Sequence, residues 1–174
     1  ESVLEALLLE SELTKKVQPP YNTSAKDDKS YNQVVITKEA YPRVLVVRSR
    51  DIAQGKFDFP IKYSFGPFPD GGGLKEGMKI IRRLFPFRDK CTPYEELSPK
   101  MKAKARPCFS AQIGLCPGVC VGRVSQKEYQ EILKNLRFFF AGKKGTIIRG
   151  LEKKMTLAAS EQRFEDAQVI KKVL

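Results

Sequence analysis

Four cysteines, Cys91, Cys108, Cys116 and Cys120, fall in one third of this chain. Sixteen residues separate the first two, then seven, then three. Four thiolates are a complete ligand set for one zinc ion or one iron–sulfur cluster. The spacing is not the paired C-x-x-C of zinc ribbons, so it leaves both metals open, beside buried structural cysteine or two disulfides. The surrounding segment is rich in Pro and Gly and poor in apolar residues, so it needs an external means of ordering, which favours the metal. The chain has no histidine. A metal held here at neutral pH therefore depends on thiolates, carboxylates or backbone oxygen. The same absence removes Ser-His-Asp, Cys-His and His-metal nuclease chemistry from this stretch.

Other residues could do chemistry. Glu10 lies on the apolar side of an amphipathic pattern, where a carboxylate can bind a metal, move a proton, or pair with a buried Lys or Arg. From pattern alone, pairing or a helix-edge place is the stronger reading. Lys100, Lys102, Lys104 and Arg106 stand between the first two cysteines. With Arg82, Arg83 and Arg88 they read either as a phosphate-contacting patch or as a solvated basic face. Gly71-Gly72-Gly73 precedes a helix and could cradle a phosphate, but no P-loop or G-x-G-x-x-G follows, so a flexible turn is favoured. Phe138-Phe139-Phe140 reads as helix core rather than a base-stacking platform.

Elements must position these groups. Ser2 to Lys16 reads as a helix opened by a Ser2/Glu5 capping pair. Val3, Ala6, Leu7 and Leu13 share one broad face with Glu10 in its middle, and Pro19-Pro20 ends it. Gln33–Thr37, Val44–Arg48 and Lys62–Phe65 read as strands. Gly66-Pro67-Phe68-Pro69 and the three glycines read as loops. Leu74–Phe85 is an amphipathic helix closed by Pro86. Cys91 to Gly122 reads as irregular. Ser125 and Glu128 cap a helix running to about Ala141, ended by Gly142. Thr146–Leu174 reads as a helical hairpin that turns at Ser160–Arg163, with one stripe of Ile148, Leu151, Met155 and Ala159 and another of Phe164, Ala167, Ile170 and Leu174. Such a hairpin leaves an apolar edge for a partner.

The bulk numbers bound the function. At 41% hydrophobic residues, 174 residues suffice for one or two small cores. A net charge of +12 points to nucleic acid, ribosome or an anionic surface. No stretch is apolar enough to span a membrane, and the acidic opening is unlike a signal peptide. The expected compartment is cytoplasmic, where clustered cysteines favour metal over disulfides. Without an initial methionine, and with apparent helices at both ends, the chain reads as a piece of something longer.

A series of motifs then carries a resemblance. They are Glu5-Ala6-Leu7-Leu8-Leu9-Glu10, Pro20-Tyr21-Asn22, Asp27-Asp28-Lys29-Ser30-Tyr31, Ile36-Thr37-Lys38-Glu39 with Pro42-Arg43, and Phe65-Gly66-Pro67-Phe68-Pro69. They continue with Leu84-Phe85-Pro86-Phe87-Arg88, Arg106-Pro107-Cys108, Gln112-Ile113-Gly114, Cys116-Pro117, Cys120-Val121-Gly122, and finally Leu151-Glu152, Met155, Ala158-Ala159 and Phe164-Glu165. In this order they resemble the UvrC family, nuclease subunits of bacterial nucleotide excision repair, over essentially the whole chain.

The resemblance implies an α+β organisation in four parts. Residues 1–25 would be the C-terminal part of a GIY-YIG nuclease domain, 26–90 a small α+β middle region, 91–142 the Cys-rich cluster segment plus a helix, and 143–174 a UVR helical hairpin. It implies Glu10 as ligand of a catalytic Mg2+ or Mn2+, with Asn22 completing that site. It also implies Cys91, Cys108, Cys116 and Cys120 as ligands of a [4Fe-4S] cluster, zinc being the alternative. Leu151, Met155 and Phe164 would shape a UvrB-facing hairpin, and damaged double-stranded DNA would be the substrate, with no membrane partner. The GIY and YIG strands, the RNase H-like nuclease domain and the helix-hairpin-helix pair are not in this sequence, so the resemblance implies an endonuclease family member without a complete active site of its own. The alternative is a non-catalytic, metal-binding adaptor that recruits a partner through its hairpin.

Overall fold

The computed structural model describes residues 9, 10, 13, 17, 31–142, 144–162, 164 and 168. Two compact units divide the chain, Glu1–Leu133 and Lys134–Leu174.

The first unit is built on three antiparallel strands in the order β2-β1-β3: β1 Asn32–Thr37, β2 Val44–Arg48 and β3 Ile61–Phe68. Val34, Val35, Ile36 and Thr37 are all buried, so central β1 is covered on both faces and loses the apolar/polar alternation of a half-exposed strand. Its register is fixed by pairs such as Val35↔Leu45 and Val35↔Ser64. β3 runs past its expected end. It carries Gly66 and Pro67 through one register shift to pair Phe68 with Asn32, a second shift lying at its other end between Tyr63 and Ile61, and the Gly66–Pro67 peptide is cis.

After β2 comes the short α1 Ser49–Ala53. After β3 comes α2 Gly71–Leu84, whose Leu74, Met78 and Ile81 are buried. The glycines expected as a loop are its first turn. The Asp70 carboxylate accepts from Gly72 N–H at 2.9 Å and caps that turn. A Cβ at Gly71 would sit 2.6 Å from Asn32 Nδ2, so a larger residue there would have to displace the end of that side chain. The flexible turn favoured for these glycines is thereby corrected: they are helical, and the Asp70 carboxylate caps them.

From Cys91 to Gly122 the chain runs through single turns, as its composition implied. These are the 3-10 turn Tyr94–Glu96, α3 Pro99–Lys102, α4 Phe109–Gln112 and the 3-10 turn Val119–Val121. α5 Gln126–Phe140 follows. Its capping box is formed as read: Ser125 N–H and Oγ–H donate to Glu128, and Glu128 N–H donates to Ser125 Oγ. Tyr129 on α5 is fully buried. Its hydroxyl donates to Pro42 O at 2.7 Å and accepts from Arg88 N–H at 2.9 Å, so both polar functions are met and the ring joins the helix to two loops.

The second unit is described chiefly as α6 Lys144–Ser160. Gln162 follows with φ +59°, within the expected turn. Phe164 and Gln168 are helical; Ala167, Ile170 and Leu174 lie outside the described residues. Among the described residues no helix is long and apolar enough to cross a membrane.

Candidate metal centre

Three pieces of backbone bring the thiols together. Cys91 follows the Phe87–Asp89 segment, Cys108 is the N-cap of α4, Cys116 stands just before the 3-10 turn Val119–Val121, and Cys120 lies within that turn. The sulfur atoms of Cys91, Cys108 and Cys120 all lie within 4.8 Å of one another. Cys116 joins them through a hydrogen bond with Cys91. Cys116 and Cys120 are buried, the other two half-buried.

Gly118 makes the last turn possible. Its φ of +86° is left-handed, and a Cβ there would meet Arg123 Cδ at 2.9 Å. The turn aims backbone amides at sulfur: Gly118 and Val119 N–H at Cys116, while Cys108 N–H donates to Cys120 Sγ at 3.4 Å. The hydrogen bond from Cys91, then those amides and the charge of Arg82, outweigh burial and pull the Cys116 thiol down to about 6. Cys91 is pushed up by the same hydrogen bond, by burial, and by the neighbouring sulfurs. Burial chiefly raises Cys108. One thiolate thus forms readily while Cys91 and Cys108 resist, as expected where like groups crowd together.

Two arginines frame this loop. Arg88 is 4% exposed. It donates to Cys91 O at 2.6 Å and to Glu39 Oε2 at 2.8 Å. Glu39 also accepts from Arg43 and Thr37. Arg82 donates to Leu115 O at 3.0 Å, Phe87 O at 3.2 Å and Asp89 Oδ2 at 2.9 Å, tying the approach to Cys91 to the approach to Cys116. The reading of Arg82 and Arg88 as phosphate contacts is therefore corrected: both side chains are held by hydrogen bonds inside the fold, Arg88 with its Nε buried and unpartnered among the described residues. One signal in the sequence could have shown it, namely that Arg88 ends the run Leu84–Phe87, where an arginine must bring its partners with it.

The basic residues between the first two cysteines divide. Lys100, Lys104 and Arg106 are exposed and line a cavity of about 500 Å3 with Thr92, Leu97 and Met101, and Cys120 forms part of its wall. Lys102 is half-buried, its ammonium 5.5 Å from the centre of the Tyr94 ring. The expected Phe138–Phe140 core is half-buried, with Phe139 and Phe140 edge to face at 5.7 Å. The exposed ring is instead Phe109, 73% accessible and next to Cys108.

Glu10 is helical and exposed, and Leu9, Leu13 and Val17 around it are exposed too. Asn22 lies outside the described residues, as does the side chain of Leu151. In the second unit Met155 is half-buried and Phe164 is 67% exposed. A groove of about 490 Å3 runs along α6 between Arg149 and Ser160, with exposed Leu157 in it.

A three-stranded sheet that braces a four-cysteine loop, followed by a helical motif, defines a class, and family comparison agrees. The model of the UvrC/Cho excinuclease middle domain matches residues 31–139, and that of the UvrB/uvrC motif matches residues 145–172. The chain belongs to the UvrC/Cho excinuclease family. It is similar to proteins named UvrABC system protein C: 38% identical over 169 residues to that of Methanothermobacter thermautotrophicus, covering 96% of this chain and 26% of the relative. It is 37% identical over 164 residues to that of a Synechococcus strain, covering 94% and 24%. The chain thus spans about a quarter of the length of the curated relatives it matches. No solved structure matches it.

Proposed function

We propose that this chain is the cysteine-loop and docking portion of a UvrC-type endonuclease subunit, which acts with UvrB on damaged double-stranded DNA in nucleotide excision repair. The convergence of four thiols in a loop that lacks a core of its own carries the reading. Cys91, Cys108, Cys116 and Cys120 would hold a [4Fe-4S] cluster. The fit rests on the donor set: four sulfurs, with backbone amides directed at two of them. Zinc is the second reading, and one observation favours it. A tetrahedral shell with Zn–S bonds of about 2.3 Å sets sulfurs roughly 3.8 Å apart, and the sulfurs of Cys91, Cys108 and Cys120 lie within 4.8 Å of one another, with Cys116 hydrogen-bonded to Cys91. Either metal would supply positive charge that holds all four sulfurs as thiolates and orders the loop.

The chain's own residues do the rest. Arg82 and Arg88 fix the two approaches to the thiols. Lys100, Lys104 and Arg106 face solvent beside Cys120, where they would contact DNA phosphates, with Lys102 held over Tyr94. Glu10 and Asn22 would belong to the Mg2+ or Mn2+ site of a GIY-YIG nuclease domain. Leu151, Met155 and Phe164 would face UvrB.

Anaerobic purification tests the metal. A brown protein with broad visible absorption supports the cluster, and a colourless one carrying a single zinc replaces it with the second reading. Metal-free protein with an unchanged, ordered cysteine loop would remove both. For the hairpin, Phe164→Ala should weaken UvrB binding by about 2 kcal/mol, the scale of an exposed aromatic anchor. Unchanged affinity by calorimetry would withdraw that assignment.

A further inference from the structure

β2 is an outer strand: β1 pairs with it on one side, and among the described residues no strand pairs with the other. Hydrogen-bonding groups alternate sides along an antiparallel strand. Val44 N–H points outward and donates to Arg88 O at 3.0 Å. Val46, two residues on, faces the same way and is 37% exposed. Beside this edge lies a groove of about 590 Å3 whose floor includes Leu45, Val46, Met78 and Leu115.

The rim of the groove is cationic. Arg82 is satisfied by Asp89, and Lys79 pairs with Glu76 at 2.7 Å. Lys75, Arg83 and Lys90 also line it beside Asp89, and among the described residues no carboxylate forms an ion pair with those three side chains. An apolar floor, an open strand edge and uncompensated positive charge are complementary to one kind of ligand. Nucleic acid fits less well: the ring in the lining, Phe87, is 3% exposed and offers no face for a base.

We propose that this groove docks an extended segment of a partner protein in which acidic and apolar residues alternate, added as a short strand along β2. Main-chain pairing at Val46 would give the segment its register. Its apolar side chains would enter the groove, and its carboxylates would meet Lys75, Arg83 and Lys90.

The test uses the whole chain and a fluorescent decapeptide of alternating Glu and Leu, read by anisotropy. The comparison probes are a Lys/Leu decapeptide, decathymidylate, and the Glu/Leu peptide N-methylated on alternate residues. The Glu/Leu peptide should bind saturably, Lys75→Glu with Lys90→Glu should weaken it about tenfold, and N-methylation should abolish it, since pairing needs the amides. The N-methyl probe leaves the protein untouched, so a misfolded variant cannot obscure the answer. Absence of saturable binding up to millimolar peptide overturns the proposal. So does equal binding of the N-methyl peptide, which would mean charge alone. Binding of decathymidylate without the peptide, lost on the same charge reversals, would overturn it in favour of nucleic acid.

Discussion

At the scale of the residue, Arg82 straps one cysteine approach to the other, and its planar fork is what lets one side chain reach three acceptors. A lysine keeps the charge near Cys116 but cannot span Leu115 O, Phe87 O and Asp89 together. If the thiols hold a metal as proposed, Arg82→Lys should retain part of it, while Arg82→Gln, which loses charge and span, should lose most of it. Metal per chain and the visible spectrum read this directly, and wild-type loading in both variants would show that the strap is dispensable. Gly118 gives a second handle. Alanine in its left-handed conformation costs about 1–2 kcal/mol before any clash with Arg123. Gly118→Ala should lower the urea midpoint of the metal-free chain accordingly, and weaken metal binding with it.

At the scale of the element, the loop before Cys91 depends on a carboxylate. Burial alone would raise the pKa of Glu39, but hydrogen bonds from Arg43 and Thr37 and the charges of Arg88 and Arg43 outweigh it and hold it below the ordinary range. Asp89 is lowered in the same way, against burial, by Arg82. A carboxylate lowered by folding adds stability that is complete above its unfolded pKa and is lost as pH falls through its folded one. The thermal midpoint should thus fall as pH drops below the usual carboxylate range, and Glu39→Gln should flatten that dependence. The variant should also cost about 3 kcal/mol at neutral pH, because Arg88 would stay buried without its counter-charge. A pH profile equal to that of the parent would sink the argument. β2 was legible to the residue in the sequence, because Val44–Val47 is β-branched or apolar with no turn residue inside. The end of β3 and the first turn of α2 were not. Gly66, Pro67 and three glycines carry turn propensity; the pairing of Phe68 with Asn32 extends β3 through the first two, and the Asp70 cap holds the glycines in the helix. The cysteine set was legible from residue type alone, whereas the arginines that position it were hidden, since a basic residue in sequence does not say whether it faces water or a carbonyl.

At the scale of the whole molecule, the question is where the excess of positive charge acts. Arg82 and Arg88 are spent inside, and Lys102 lies over Tyr94, which leaves Lys100, Lys104 and Arg106 exposed around the cavity beside Cys120. If those three meet phosphates, each neutralises one and displaces its condensed counterions. The slope of log K against log salt should then shrink by about 0.9 for each side chain removed. Changing Lys100, Lys104 and Arg106 together to Gln should reduce the slope by roughly 2.7 on duplex DNA, while Lys102→Gln should leave it nearly unchanged. Phe109, exposed next to Cys108, separates stacking from charge. Its replacement by alanine should weaken binding to single-stranded or unpaired DNA by about 1–3 kcal/mol without altering the salt slope. A slope that the triple variant leaves intact would move the DNA contact away from the cysteine loop, and the cavity beside Cys120 would then have no part in holding the substrate.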